Sequence, residues 1–325
     1  MSFTKSVALP VSPDEAFALI TEPERLRRWQ TVTAVVDLRA GGGFRWTVNP
    51  GHVAVGTYRE VEPGRRIVFG WGWEGSDELP PDASTVTLTV EPHDSGSLVT
   101  LVHEGLHGVQ AARHAEGWNH YFQRLEKLAA TGDAGQDEWS WLPEVLSPAT
   151  AAEAALAALQ PVLRNLTAED RPRQTPCADF TCHDLAEHIF VSLRQLGAMA
   201  GSTVVDPEIG SLENRISAMA AQAIDVWRGV DPAGTVPGPG GRELPAEFAA
   251  GILPMELLVH GWDMAQGSGQ ILRVSDELVA YVRQIAGGVI EAGRGSSFTD
   301  EVSPRPEASA IDRLAAYAGR TPVAA

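Results

Sequence analysis

The sequence predicts an α+β domain, an antiparallel sheet closed by one long helix, followed by an all-α helical bundle. Three observations predict it. Apolar residues alternate with a period of two between about residues 32 and 103. The period then turns helical, with Trp118, Tyr121, Phe122, Leu125 and Leu128 on one stripe. From Pro148 onward the periodic stretches are almost all helical. At 325 residues the chain is long enough for two cores, since single cores stop growing at about 250–300 residues. The expected boundaries are 1–131 for the first domain, 132–147 for a connector and 148–325 for the second.

The first domain opens with Ser12-Pro13-Asp14-Glu15, where Ser is a helix cap, Pro takes the first helical position and Glu stands three after the cap. A short second helix starts at Pro23. Phe44, Trp46 and Val48 then alternate with polar neighbours, and strands at Val53–Val61 and Arg66–Trp73 flank the turn Glu62-Pro63-Gly64-Arg65. Val86, Leu88 and Val90 mark the next strand and Leu98–His103 the last. The long helix carrying Trp118 has the apolar stripe needed to cover the sheet.

In the second domain, helices are expected at Pro148–Leu166, Thr181–Met199, Leu212–Trp227 and Ser275–Ala292, with a short one ending near Tyr317. Asp231–Gly241 reads as a Gly/Pro-rich loop. Pro245–Gly267 reads as one helix that Pro254 kinks, because proline cannot donate to the helix ladder. Trp139 and Trp141 suit a connector that packs on a domain instead of swinging free.

The net charge is −17, and residues 1–131 carry 12 Lys and Arg against 16 Asp and Glu. The acidity is therefore concentrated in the second domain, which repels phosphate backbones and argues against nucleic acid and anionic membranes as partners. No apolar run reaches the roughly 18 residues of a spanning helix. The N-terminal residues lack the apolar core of a secretory signal, so a cytoplasmic location is expected. Two cysteines, Cys177 and Cys182, are too few for a disulfide framework or a four-Cys zinc knuckle. Cys182 falls in a helix first turn, where the dipole can lower a thiol pKa, though two inert thiols are the commoner reading. His52, His93, His103, His107, His114 and His120 show no metal-ligand spacing and read as surface residues.

One constellation carries chemistry. Thr181-Cys182-His183-Asp184 has the form of a capping box, which fixes the start of the helix bearing His188. Glu256 and His260 stand four apart on another helix and point the same way. Two such helices side by side can bring two imidazoles and a carboxylate to one point, as bundle cores do when they hold metals. Spacing alone does not separate this from an exposed ion pair, which is the commoner outcome. Three ligands with an open position suit catalytic zinc, and the same set suits iron(II). Asp263 or Asp184 could orient a ligand imidazole.

Two resemblances extend these readings. Gly42-Gly43-Phe44-Arg45-Trp46, the stretch 52–58, the stretch 67–74 and Gly117-Trp118-Asn-His-Tyr121 resemble the START-like (helix-grip) superfamily, in its branch named after activators of a heat-shock ATPase. That resemblance implies an apolar pocket for a small hydrophobic molecule, with Trp46, Phe69, Trp71, Trp73 and Trp118 as its walls; for the aromatic row, plain core is the competing reading.

Thr175-Pro176-Cys177-Ala-Asp-Phe180-Thr181, Asp184-Leu185-Ala-Glu-His188, the stretch 256–263, the stretch 266–269 and the stretch 312–320 resemble the metal-binding domain of mycothiol-dependent maleylpyruvate isomerase, within the DinB-like four-helix bundles. Phe180 stands where that family usually has Trp. The resemblance implies metal ligation by His188, Glu256 and His260, with zinc favoured over iron or nickel and mycothiol as cosubstrate. Residues of the isomerase's further C-terminal region have no counterpart here, so no catalytic residue is named. The expectation is a metal-dependent thiol transferase or isomerase acting on a small hydrophobic electrophile, able to form a homodimer. The competing classes are a non-catalytic binder with a metal-stabilised bundle and a metal-dependent hydrolase.

Overall fold

The structure, a computed structural model, describes residues 2–322; Met1 and residues 323–325, the outer limits of the two expected domains, lie outside the described residues. The chain forms two compact units, Met1–Asp137 and Glu138–Ala325. The stretch expected as a connector is shared between them. Arg124 donates to the carbonyls of Gly135 and Gln136 in the first unit, and Ser275 donates to the carbonyl of Trp141 in the second.

The first unit contains β1 (Ser2–Leu9), α1 (Pro13–Thr21), α2 (Pro23–Leu26), β2 (Thr33–Val36), β3 (Gly43–Asn49), β4 (His52–Glu62), β5 (Arg66–Trp73), β6 (Ser84–His93), β7 (Gly96–Glu104) and α3 (Gly108–Thr131). Its seven strands form one antiparallel sheet in the order β1-β7-β6-β5-β4-β3-β2. The order is that of the helix-grip fold.

Ser12 caps α1 by accepting from the Glu15 N–H, as its sequence implies. On α3, Trp118, Tyr121, Phe122, Leu125 and Leu128 are all buried, so the apolar stripe faces the sheet. The strand β1 escapes the sequence reading. It is an edge strand paired only with β7, its first five residues are mostly polar, and only Val7 and Leu9 are buried.

The second unit contains α4 (Pro148–Arg164), α5 (Cys182–Met199), α6 (Leu212–Arg228), β8 (Thr235–Pro237), β9 (Glu243–Pro245), α7 (Ala246–Ala250), α8 (Ile252–Ser268), α9 (Asp276–Ala292) and α10 (Ala310–Tyr317). Helices α4, α6, α5 and α8 pack in a closed ring, each against two neighbours, with α9 against α4 and α8. Two expectations are corrected here. The Gly/Pro-rich stretch is not merely a loop, because β8 and β9 pair as a small antiparallel hairpin.

The helix break also falls at Gly251, not at Pro254. Pro254 is the third residue of α8, in the first turn, where a missing N–H interrupts no intrahelical bond. At Gly251 a Cβ would come 2.7 Å from the Ile285 carbonyl oxygen, so the backbones of α8 and α9 approach too closely there for any side chain. Glu256 and His260 consequently sit on one unbroken helix.

Candidate metal centre

The cap at the start of α5 sets the position of His188. Thr181 Oγ1 accepts from the Asp184 N–H at 3.2 Å, and Asp184 Oδ2 accepts from the Thr181 N–H at 3.0 Å and its hydroxyl at 2.6 Å. These bonds hold the Asp184 carboxyl below its usual range. Asp184 is thus committed to the cap and does not orient a ligand imidazole, which corrects that alternative. Thr181→Ala is expected to destabilise the second unit by about 1 kcal/mol, read from urea unfolding followed by helix circular dichroism.

Two turns into α5, His188 stacks on Phe180, ring centroids 5.0 Å apart at 29°. Its Nε2 lies 3.3 Å from Ser192 Oγ and 3.5 Å from Glu256 Oε2. His260 Nε2 is also 3.5 Å from Glu256 Oε2. The imidazoles stand edge to face, 4.9 Å apart at 83°. One ligand atom from each of His188, Glu256 and His260 lies within 4.8 Å of the other two. The three residues singled out by the sequence therefore converge.

The electrostatics at the common point favour a cation. Asp263 Oδ2 takes the Nδ1–H of His260 at 3.0 Å, which turns the Nε2 lone pair of a neutral imidazole toward Glu256. Glu256 Oε2 is buried and has no hydrogen-bond partner. With His260 neutral, an acceptor thus faces an acceptor across 3.5 Å. Burial pushes Glu256 up, but His260 and His188 outweigh it and hold the carboxyl at about 2. Burial pushes His260 down, and Glu256 and Asp263 outweigh that to raise it. Two of the three donor separations also suit zinc. Tetrahedral zinc with ligands at about 2.0–2.1 Å keeps them roughly 3.3 Å apart, close to the 3.5 Å seen from Glu256 to either imidazole.

The sequence reading gave Arg320 no role beyond ending the matching stretch 312–320; its Nε donates to Asp263 Oδ2 at 3.3 Å. It lies 57 positions from Asp263, so no spacing rule could pair them. The thiols are the opposite of activated. Burial raises Cys182 despite its place in a helix first turn, and raises Cys177 to about 11 against the lowering pull of Arg320.

In the first unit, Trp46, Phe69, Trp71 and Trp118 are buried and pack ring against ring, while Trp73 is half-buried at the edge. Two histidines expected at the surface belong to this cluster, which corrects that reading. His103, wholly buried, accepts from Trp118 Nε1–H at its Nδ1, and its Nε2 donates to Ser84 Oγ, whose own hydroxyl goes to the Trp71 carbonyl. His114 accepts from Trp71 Nε1–H, and its Nδ1 donates to the Gln110 carbonyl. Trp46 Nε1 and the Tyr58 hydroxyl, both buried, have no hydrogen-bond partner.

Comparison with known proteins adds the relatives. Residues 10–130 match the family described as activator of Hsp90 ATPase homolog 1-like protein. An uncharacterized protein of Mycobacterium tuberculosis, Rv0738 in one strain and MT0763 in another, is 32% identical over 190 residues. The alignment covers 99% of that protein and 54% of this chain, a stretch longer than the whole first unit. The chain belongs to this mycobacterial family.

Among solved structures, DynU16 of the dynemicin biosynthetic locus is 22% identical with a TM-score of 0.39, over 45% of this chain. The chain spans 56% of DynU16, about half its length. The Aha1 dimer of Colwellia psychrerythraea is 13% identical with a TM-score of 0.37, over 41% of this chain and 98% of that one. At these scores neither likeness bears on function. The first unit of this chain is a START-like, Hsp90-activator-like domain, on the match over residues 10–130. Among the described residues no helix is long and apolar enough to cross a membrane.

Proposed function

We propose that the helical unit holds a divalent ion, zinc before iron or nickel, on His188, Glu256 and His260. On this reading the chain is a metal-dependent transferase or isomerase that joins a low-molecular-weight thiol of the mycothiol type to a small hydrophobic electrophile. The observation that carries the reading is Glu256 Oε2, buried without a partner and 3.5 Å from two imidazole nitrogens. One cation at the point where they meet would satisfy these three groups together.

When bound, such an ion supplies Lewis acidity, which favours the ionised form of a thiol or water at an open position. The chain's own residues do the rest. Phe180 stacked on His188 walls one side and fixes that imidazole. Ser192 Oγ, 3.3 Å from His188 Nε2, can take or pass a proton at the edge of the site. Asp263 keeps His260 in the tautomer that points Nε2 inward. Burial raises both Cys177 and Cys182, which disfavours their thiolates and fits a nucleophile supplied by the cosubstrate.

The test is turnover. Zinc-loaded protein should consume mycothiol together with an electrophile, and Glu256→Gln should not. Electrophile hydrolysis at the same rate without thiol would make the chain a hydrolase instead.

A second reading, a small-molecule binder, is favoured by one observation in the first unit. Trp46 Nε1 and the Tyr58 hydroxyl are buried donors without acceptors amid an aromatic cluster. Leaving such donors unmet costs roughly 1–3 kcal/mol each. A small apolar molecule bearing an acceptor would satisfy the donor that it reaches. Titration with hydrophobic carbonyl compounds, followed by tryptophan fluorescence, should show saturable quenching that Tyr58→Phe weakens by about tenfold, which is one lost hydrogen bond.

A further inference from the structure

We propose that Asp263 and Arg320 form a positioning relay behind His260, so that metal affinity depends on two side chains that do not touch the ion. The proposal rests on the metal reading above. Asp263 Oδ2 accepts from His260 Nδ1–H at 3.0 Å and from Arg320 Nε–H at 3.3 Å. Asp263 is fully buried, and its other carboxylate oxygen has no partner. One oxygen therefore carries both bonds, and those two bonds fix the plane of the carboxylate. The imidazole follows. With Nδ1–H bound to Asp263, the Nε2 lone pair faces Glu256; in the other tautomer an N–H would occupy the point where the three ligands meet.

The fold brings Arg320 to this place by a specific turn. Past α10 the backbone reverses through Gly319, at φ +78°, with the Gly319 N–H donating to the Ala316 carbonyl and the Arg320 N–H to the Ala315 carbonyl. A Cβ on Gly319 would stand 2.2 Å from Thr299 Oγ1, so only glycine fits. The reversal drops Arg320 into the interior, where only 7% of its surface is exposed. There Nη1 donates to the Ala318 carbonyl at 3.3 Å, and the guanidinium lies 5.8 Å from the Phe298 ring centroid. Burying an arginine this fully demands a carboxylate partner, and Asp263 is the one present.

The sign of the Arg320 effect separates positioning from plain charge. A nearby positive charge repels a bound cation, so through-space electrostatics alone would make Arg320→Gln bind metal more tightly. Positioning makes it bind more weakly, because the carboxylate loses its second anchor and the imidazole its fixed orientation.

The experiment measures zinc affinity of the full chain by competition with a chromophoric chelator, and the visible absorption of the cobalt(II)-loaded protein. Wild type, Asp263→Asn, Arg320→Gln and Arg320→Lys are compared, with circular dichroism as the check on folding. Asp263→Asn should weaken zinc by about 10–100-fold, as loss of such outer partners does. Arg320→Gln should weaken it by roughly tenfold and alter the cobalt bands, and Arg320→Lys, which keeps a donor for Asp263, should recover most of the loss. Affinities within twofold of wild type, or tighter binding in Arg320→Gln, would overturn the relay. Absence of zinc binding by the wild-type chain overturns the metal reading instead, which is a different result.

Discussion

Replacing Glu256 with glutamine is expected to weaken zinc binding by on the order of 100-fold or more while leaving the second unit folded. Zinc held by four ligands is worth about 10–16 kcal/mol, so each ligand contributes roughly 3 kcal/mol. The amide has nearly the volume of the carboxylate, so packing is preserved. Its effect on the metal-free chain should run the other way. Glu256 Oε2 faces two imidazole nitrogens without a hydrogen bond. A glutamine places an N–H donor toward those lone pairs and removes a buried charge. Metal-free Glu256→Gln should therefore melt no lower than metal-free wild type. A site kept for function, and not for folding, has this signature. The measurements are zinc affinity and thermal unfolding of both chains after chelation. A variant that melts several degrees below wild type when metal-free would show that Glu256 serves the fold.

The second large effect belongs to the first unit and to pH. His103 is held at about 3 by burial and, less, by His114, against 6.5 for an unperturbed histidine. Burial also lowers His114, partly offset by its bond to the Gln110 carbonyl. Each ring has one nitrogen accepting an indole N–H, so neither can gain a proton without confronting that donor. The folded pKa lies below the unfolded one. The unfolded chain thus takes up protons first as pH falls, and stability is lost from about pH 6.5 downward.

One pKa unit is worth about 1.4 kcal/mol, so by pH 4.5 His103 alone removes roughly 2.7 kcal/mol. Carboxylates act in a lower window. Asp206, bonded to Arg215, is held from 3.8 to about 2, and its contribution fades only below pH 3.8. Hydrogen exchange on the full chain should show peptides of β5, β7 and α3 losing protection between pH 6.5 and 4.5, beyond the intrinsic pH dependence of exchange. The α5 and α6 peptides should hold. Uniform loss across both units would contradict this account.

The two regions were not equally legible in the sequence. Helices with strong caps and stripes could be read directly: Ser12, Thr181 and Ser275 each accept from the N–H three residues on, and α1, α5 and α9 begin beside them. The i, i+4 pair Glu256 and His260 was readable because it depends on one helix alone. What brings His188 to that pair is the α5–α8 packing, which no local pattern encodes. Pro254 misled because a proline in the first turn and one in mid-helix look alike until the break at Gly251 is known. His103 and His114 misled for a related reason. Their partners, Trp118, Ser84 and Trp71, come from three different elements and satisfy the buried rings. Arg320 ended the stretch 312–320 that carries the resemblance, but apart from the glycine before it no local pattern showed that it turns inward to Asp263.

The central claim, that His188, Glu256 and His260 hold one divalent ion, is tested most directly by zinc titration of the chelator-treated full chain beside His188→Ala. The account predicts one zinc per chain for wild type and no more than trace binding for His188→Ala. Equal metal content in the two proteins would contradict it.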